Sequence, residues 1–212
     1  MNHGKFIALE GGEGTGKSTQ SRLLAEALEA LGQPATVTRE PGGTEGAEAI
    51  RALLLAPPGP GWGPRAEALL FAAARSDHVE RLIRPALAAG RWVVCDRFLD
   101  SSRAYQGGAG GLGDDTIMAL HDIGSEGLLP DMTVLIDVTP ETISARLAAR
   151  DQGVADAIGG RGAAYHTNVA QAFRRFAAAA PDRFVTIGGE GAPDEVHRRI
   201  MAALAPLLEI AA

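Results

Sequence analysis

The stretch from Phe6 to Thr19, Phe-Ile-Ala-Leu-Glu-Gly-Gly-Glu-Gly-Thr-Gly-Lys-Ser-Thr, constrains this chain more than any other. Phe6 to Leu9 is a short apolar run of the kind a buried strand carries. Glycines follow at Gly11, Gly12, Gly14 and Gly16. Lys17, Ser18 and Thr19 then open a helical pattern, with Leu23, Leu24, Ala27, Leu28 and Leu31 at helical spacing and Gly32 at the C-terminal cap. Gly11 to Ser18 fits G-x-x-x-x-G-K-[ST], with a strand before it and a helix after it. Glycines let backbone N–H groups converge on a polyphosphate, and the helix N-terminus adds unpaired donors and a positive dipole end. Lys17 would reach the β and γ phosphates, and the Ser18 hydroxyl would ligate magnesium. The predicted nucleoside triphosphate site is therefore Gly11, Gly12, Glu13, Gly14, Thr15, Gly16, Lys17, Ser18 and Thr19. The motif does not say what is done with the nucleotide.

The remaining chain predicts alternating strands and helices. Strands are expected at Lys5–Glu10, Ala35–Thr38, Trp92–Cys95, Met132–Val138 and Phe184–Ile187. Thr44 should cap one helix, and Thr139-Pro140 should open another. Pro57 to Pro64 reads as an exposed loop. Arg65 to Ala89 reads as a long helical stretch that Pro85 kinks or splits, with Leu69, Leu70, Ala73, Val79, Leu82 and Ile83 on buried faces. Five glycines between Gly107 and Gly113 predict a mobile loop, and residues 150–162, with four more, predict a lid. Helices at 163–180 and 194–208 complete an α/β pattern with a five-stranded parallel sheet. With 212 residues, one domain is expected.

Composition narrows the partners. A net charge of −6 argues weakly against nucleic acid. Cys95 is the lone cysteine, which fits a reducing cytoplasm. No signal peptide or membrane span is evident. His78 and His121 lack metal-spaced partners and read as structural, and Cys95 reads as a small buried apolar residue.

Asp96 ends a buried strand, where a carboxylate could hold a metal-bound water. Arg97 beside it could pair with a phosphate. Gly-Glu-Gly-Thr-Gly-Lys-Ser at 12–18, Thr-Arg-Glu-Pro-Gly-Gly-Thr at 38–44, Leu-Leu-Phe-Ala-Ala-Ala-Arg at 69–75 and Asp-Arg-Phe-Leu-Asp-Ser-Ser-Arg-Ala-Tyr-Gln-Gly at 96–107 together resemble bacterial thymidylate kinase, over nearly the whole chain. The resemblance implies a three-layer P-loop kinase fold with a lid. It implies transfer of the γ-phosphoryl of ATP to dTMP with Mg2+, in a cytoplasmic homodimer whose candidate surfaces are the helices after Thr44 and Arg65. It also implies roles. Glu13 would reach the acceptor sugar's 3′-hydroxyl or a magnesium-bound water. Arg39 and Arg97 would neutralise the acceptor phosphate, with Arg97 bridging both phosphates. Glu40 and Gln106 belong to the acceptor loops, and Pro41 would pack on the sugar. Phe71 would stack on thymine, Arg75 would donate to a thymine carbonyl, and Ser102 would contact the base edge. Tyr105 would close on the sugar's 2′ side. Arg51 could reach the acceptor phosphate or face solvent.

The chain departs from the pattern in one place. Family members without an arginine in the P-loop carry one in the lid, within an Asp-Arg pair. Here the pair is Asp156-Ala157, and Gly159 stands where an acid is common. Uncompensated, the loss would cost about 10³–10⁵ in rate. Arg146, Arg150 and Arg161 are nearby, and Arg161 or Arg150 is expected to take the role when the lid closes. A kinase for another nucleoside monophosphate, and a nucleotide-dependent switch with little transfer activity, remain as alternatives.

Overall fold

The computed structural model describes residues 4–151 and 157–211. Its centre is β1 (Phe6–Glu10), in which all five side chains are buried. Burial on both faces is what an unbroken apolar run requires of a parallel strand. β1 pairs in parallel with β3 (Trp92–Asp96) on one side and β4 (Met132–Asp137) on the other. Outside these lie β2 (Ala35–Arg39) and β5 (Phe184–Gly188), giving the order β2-β3-β1-β4-β5. The register sets Leu9 beside Asp96 and Arg39 beside Asp96, so three strands end at one level. Open parallel sheets bind ligands at such C-terminal ends.

The period-2 alternation of strands separates the two faces. Ile7, Leu9, Trp92 and Val94 join one core with Leu24 and Leu28 of α1 (Lys17–Ala30) and Ile200 of α9 (Pro193–Ala211). Phe6, Ala8, Val93 and Cys95 join the other with Ala68 of α3 (Pro64–His78) and Ile117 of α6 (Asp114–Ser125). A third cluster places Tyr105, Leu135 and Ile158 with Phe173 of α8 (Ala163–Ala179). The result is helix, sheet, helix, as expected.

α2 (Glu45–Leu55) starts at Thr44, whose hydroxyl accepts from Ala47 N at 3.2 Å. α7 (Pro140–Asp151) starts after Thr139, and Thr142 N donates to the Thr139 hydroxyl at 3.4 Å. The long stretch from Arg65 differs from expectation. α3 widens into a π-type segment at Val79–Ile83 and then continues as α4 (Arg84–Ala88), the wide turn falling directly before Pro85. Leu69 and Ala73, expected to be buried, are exposed, Leu69 at 56%. The core-facing stripe of α3 runs instead through Glu67, Ala68, Ala74, Arg75 and His78. The glycine segment also differs. After α5 (Leu99–Ser102), a second wide helical segment spans Arg103–Ala109 and takes in Gly107 and Gly108. Gly107 is buried, and its carbonyl accepts from Gly113 N at 3.0 Å. Of the expected lid, residues 152–156, including Asp156, lie outside the described residues.

Candidate active site

The loop Gly11–Ser18 turns tightly from β1 into α1. Gly11 has φ 144°, and a Cβ there would lie 2.6 Å from the Ile136 carbonyl, so this position needs glycine. Gly16 sits just before α1 in the left-handed conformation (φ 95°), and no side chain caps the helix. The first N–H groups of α1 are thus left for an anion. The Thr15 hydroxyl closes the loop by donating to the Gly12 carbonyl at 3.1 Å.

Lys17 folds back over the loop. Its Nζ donates to the carbonyls of Gly12 at 2.6 Å and Gly11 at 3.2 Å. Burial, followed by the neighbouring Arg97 cation, lowers its pKa to about 8. The Ser18 hydroxyl donates to the Asp96 carboxylate at 2.5 Å. These two hard oxygens at the mouth of the loop suit magnesium, which takes few protein ligands and shares nucleotide phosphates. Among the described residues, no group of three or more His, Cys, Asp or Glu side chains could hold a metal alone.

Arg97 stands between the loop and the rest of the cavity. Its backbone is left-handed (φ 70°), unusual for a side-chain-bearing residue. Buried Glu10 holds this turn: its carboxylate accepts from Phe98 N at 2.9 Å, Ser101 N at 3.0 Å and the Ser101 hydroxyl at 2.6 Å. Burial, then the charge of Asp100, pushes Glu10 up to about 7. The Arg97 guanidinium donates to Glu13 at 2.6 Å, to the Gly11 carbonyl at 3.0 Å and to the Ser101 hydroxyl at 3.1 Å. It also lies 5.2 Å from the centre of the Tyr105 ring. The Tyr105 hydroxyl is buried beside the Arg97 guanidinium.

A cavity of about 570 Å³ extends from the loop across the sheet ends. Gly14, Gly16, Lys17, Ser18, Thr19 and Asp96 line its loop end, while Gly11, Gly12 and Thr15 shape the loop from behind. Glu13 and Arg97 lie where the two halves meet. Arg39, Glu40, Pro41, Arg51, Phe71 and Arg75 line the far end, with Ser102, Tyr105 and Gln106 across from them. The structure therefore gathers all the predicted acceptor residues around one cavity.

Their internal bonding was not legible beforehand. Glu40 engages Arg75 at 2.8 Å and His78 at 3.0 Å. His78 in turn meets Thr38 at 2.7 Å, so this histidine is structural as expected. Arg75 also donates to the Ser102 hydroxyl at 2.8 Å. Arg75 and Glu40 form a nearly fully buried ion pair, which sets the guanidinium in a fixed place facing the cavity. Arg39 pairs with Glu48 at 2.8 Å, and Arg51 donates to the Pro41 carbonyl at 2.7 Å.

One predicted residue is not brought to the loop. Arg161 pairs with Glu67 and donates to the Tyr165 hydroxyl at 2.6 Å, outside the wall of the main cavity. The side chain of Arg150 lies outside the described residues. Arg146 also lies beside the loop. It donates to the Thr15 carbonyl at 3.3 Å, the Gly14 carbonyl at 3.4 Å and the Gly189 carbonyl at 2.8 Å. The sequence named Arg146 only as a neighbour, and gave no role to Glu10, Glu67 or Ser101. Glu10 and Glu67 carried a signal: each is an acid inside an apolar pattern, which burial makes costly unless it is paired.

A phosphate loop on a five-stranded parallel sheet, with a second pocket facing it across a bridging arginine, defines a P-loop nucleotide phosphotransferase. The family model described as thymidylate kinase matches residues 9–200. A thymidylate kinase of Rhizorhabdus wittichii is 58% identical over 205 residues, 97% of this chain and 99% of that protein. One of Bradyrhizobium diazoefficiens is 47% identical over 202 residues, 95% and 89% of the two chains. The crystal structure of thymidylate kinase from Ehrlichia chaffeensis superposes with a TM-score of 0.75 at 32% identity, covering 95% of this chain and 99% of that one. The chain belongs to the thymidylate kinase family.

Proposed function

We infer that the protein transfers the γ-phosphoryl group of ATP to the 5′-phosphate of dTMP, yielding ADP and dTDP. The observation that carries this reading is the single cavity with a triphosphate loop at one end and the Arg75–Glu40–Ser102 pocket at the other. A switch would need no second nucleotide pocket. In the transfer, an oxygen of the acceptor phosphate bonds to the γ-phosphorus as the bridge to the β-phosphate breaks, and ADP leaves. Such chemistry needs mainly alignment and charge stabilisation. Lys17 and the α1 N-terminus hold the β and γ phosphates. Arg97 lies between donor and acceptor, and Glu13 keeps it aimed until phosphates compete for it. Arg39 and Arg51 face the acceptor phosphate, and Pro41 borders the sugar. Phe71 offers a stacking face to the base, Arg75 and Ser102 offer donors to its edge, and Tyr105 closes the 2′ side. Gln106 completes the pocket beside Tyr105. Ser18 and Asp96, with Glu13 near, would hold magnesium, whose charge stabilises the phosphate oxygens.

We further propose a single kinase domain over residues 1–212 with its lid at about 150–162, working in the cytoplasm as a homodimer. α3 packs against both α2 and α6, and the three expose Leu53 at 45%, Leu69 at 56% and Ile123 at 84%. Apolar side chains exposed on adjoining helices suit a second copy. Sedimentation should give twice the chain mass, and a monomer would remove this part of the proposal. The activity is tested by nucleoside diphosphate formation from ATP and magnesium across dTMP, dUMP, dCMP, dAMP and dGMP. Turnover of dTMP on the order of 1–100 s⁻¹ supports it. A strong preference for another acceptor would replace dTMP, and ATP binding without product would favour the switch.

A further inference from the structure

Arg161 stands in the glycine-rich segment from which a catalytic arginine was expected, but it faces the other way. Its guanidinium joins three elements. One nitrogen pairs with Glu67 on α3, and another donates to the Tyr165 hydroxyl on α8 at 2.6 Å. Tyr165 passes the contact on, donating to the Tyr105 carbonyl at 2.7 Å. Glu67 receives a second donor, Gln106 Nε2, at 2.9 Å. Both Tyr105 and Gln106 sit on the wide helical segment Arg103–Ala109 and line the acceptor end of the cavity.

Glu67 has a telling position on its helix. Glu67, Phe71 and Arg75 are spaced i, i+4 and i+8, so they share one stripe of α3. The stripe that offers Phe71 and Arg75 to the base also carries the docking point for Arg161. The neighbours of Arg161 dock on the same region. Ala157 N donates to the Leu55 carbonyl at 3.4 Å. Ile158 is 9% exposed, clusters with Leu55 and Phe71, and lines the cavity beside them. Residues 157–161 thus hold Ile158 in the acceptor wall, with Arg161 behind it.

We propose that Arg161 is a positioning residue for the acceptor nucleotide: it latches residues 157–161 to Glu67 and Tyr165 and so fixes Ile158, Tyr105 and Gln106 around the bound base and sugar. This rests on the dTMP kinase reading. A guanidinium is suited to the task, because its planar fork can serve a carboxylate and a hydroxyl together, while an ammonium is a single point. Breaking the latch lowers the fraction of protein with a formed acceptor wall. Apparent acceptor affinity falls by that fraction, and the chemistry of molecules that do bind is little changed.

The test is steady-state kinetics of wild type, Arg161→Ala, Arg161→Lys, Glu67→Gln and the Arg161→Ala/Glu67→Gln double variant, with dTMP and ATP varied in turn. Calorimetric dTMP binding and thermal melting accompany it. Arg161→Ala should raise the KM and Kd for dTMP by about tenfold. Its kcat and its KM for ATP should stay within about threefold, and Arg161→Lys should recover part of the loss. The double variant should be no worse than the poorer single one, because both break the same contact. A fall in kcat of about 10² or more with dTMP affinity unchanged would overturn the proposal and make Arg161 a group that stabilises the transferring phosphoryl. Unchanged constants in a folded Arg161→Ala would overturn it as well. If wild type binds dTMP without making dTDP, the kinase reading fails, and the same variants still judge the latch through the calorimetric Kd. If wild type does not bind dTMP, both fall together.

Discussion

The two ends of the cavity are built in opposite ways. The donor end is local. Gly11 to Ser18 is one turn between β1 and α1, held by its own carbonyls around Lys17 and by Thr15 on Gly12. The acceptor end is assembled from afar. Glu40 follows β2, Phe71 and Arg75 come from α3, Ser102 and Tyr105 follow β3, and Ile158 comes from the segment before α8. Its working parts are held by long-range pairs: Arg75 on Glu40, Gln106 on Glu67, Tyr165 on Tyr105. A local device can be specified by a short motif and reused for any triphosphate. A device made of distant segments can be tuned to one base and sugar, and it depends on the whole fold. The two meet at Arg97, whose strained backbone is fixed by Glu10 and whose guanidinium touches Glu13 and the loop.

The contrast predicts that damage stays on its own side. Lys17→Ala should lower kcat by about 10²–10³, as loss of a phosphate-facing charge does. Calorimetric affinity for dTMP should change less than about twofold; an equal loss there would break the comparison. Glu40→Ala leaves Arg75 buried without its carboxylate and should cost about 3–5 kcal/mol of stability in urea unfolding, since a buried charge loses its partner. An effect under about 1 kcal/mol would mean that the acceptor wall is not held by this pair.

The pH dependence should separate the ends too. Free Lys17 titrates near 8, held down chiefly by burial. Triphosphate favours its charged form, so the bound value is higher. Above pH 8 the free amine is largely neutral, ATP binding must take up a proton, and affinity falls as pH rises, approaching tenfold per unit. Titrations in buffers of different ionisation enthalpy should show this uptake for ATP near pH 9 and none for dTMP. Absence of uptake with ATP would contradict the burial of Lys17. The smallest effect is expected at Tyr105→Phe. Its hydroxyl lies buried beside the Arg97 guanidinium, so removal should change thermal stability by no more than about 1 kcal/mol. With the ring proposed to close the sugar's 2′ side, the variant should keep the preference for deoxyribose; equal use of ribothymidine monophosphate would show that the hydroxyl carries it.

The same division explains what could be read from the sequence. Strand order aside, all five strands were legible: the inner strands are largely buried and leave apolar runs, while the edge strands β2 and β5 are short β-branched stretches only partly buried. The donor loop was legible because its residues are consecutive. The acceptor residues were legible only through resemblance: Phe71 and Arg75 alone read as core and solvated charge. Leu69 and Ala73 misled because helical spacing reveals an apolar stripe without saying what covers it. The wide turn at Arg103–Ala109 was hidden because its glycines suggest a loop while its neighbours pack it against α8. Arg161 was assigned by its place along the chain, and its pairing with Glu67, 94 positions away, is a tertiary fact.

Donor and acceptor are expected together in one cavity, facing each other across Arg97. Equilibrium binding of a single molecule joining adenosine and thymidine through a 5′,5′-polyphosphate bridge tests this most directly. One such molecule should bind per chain, about 10²–10⁴-fold more tightly than ATP or dTMP alone, since the second half binds at high effective concentration. Both nucleotides should displace it, and Arg97→Ala should weaken it more than it weakens either half alone. Binding no tighter than ATP, displaced by ATP and indifferent to dTMP, would instead leave a triphosphate site without an acceptor facing it.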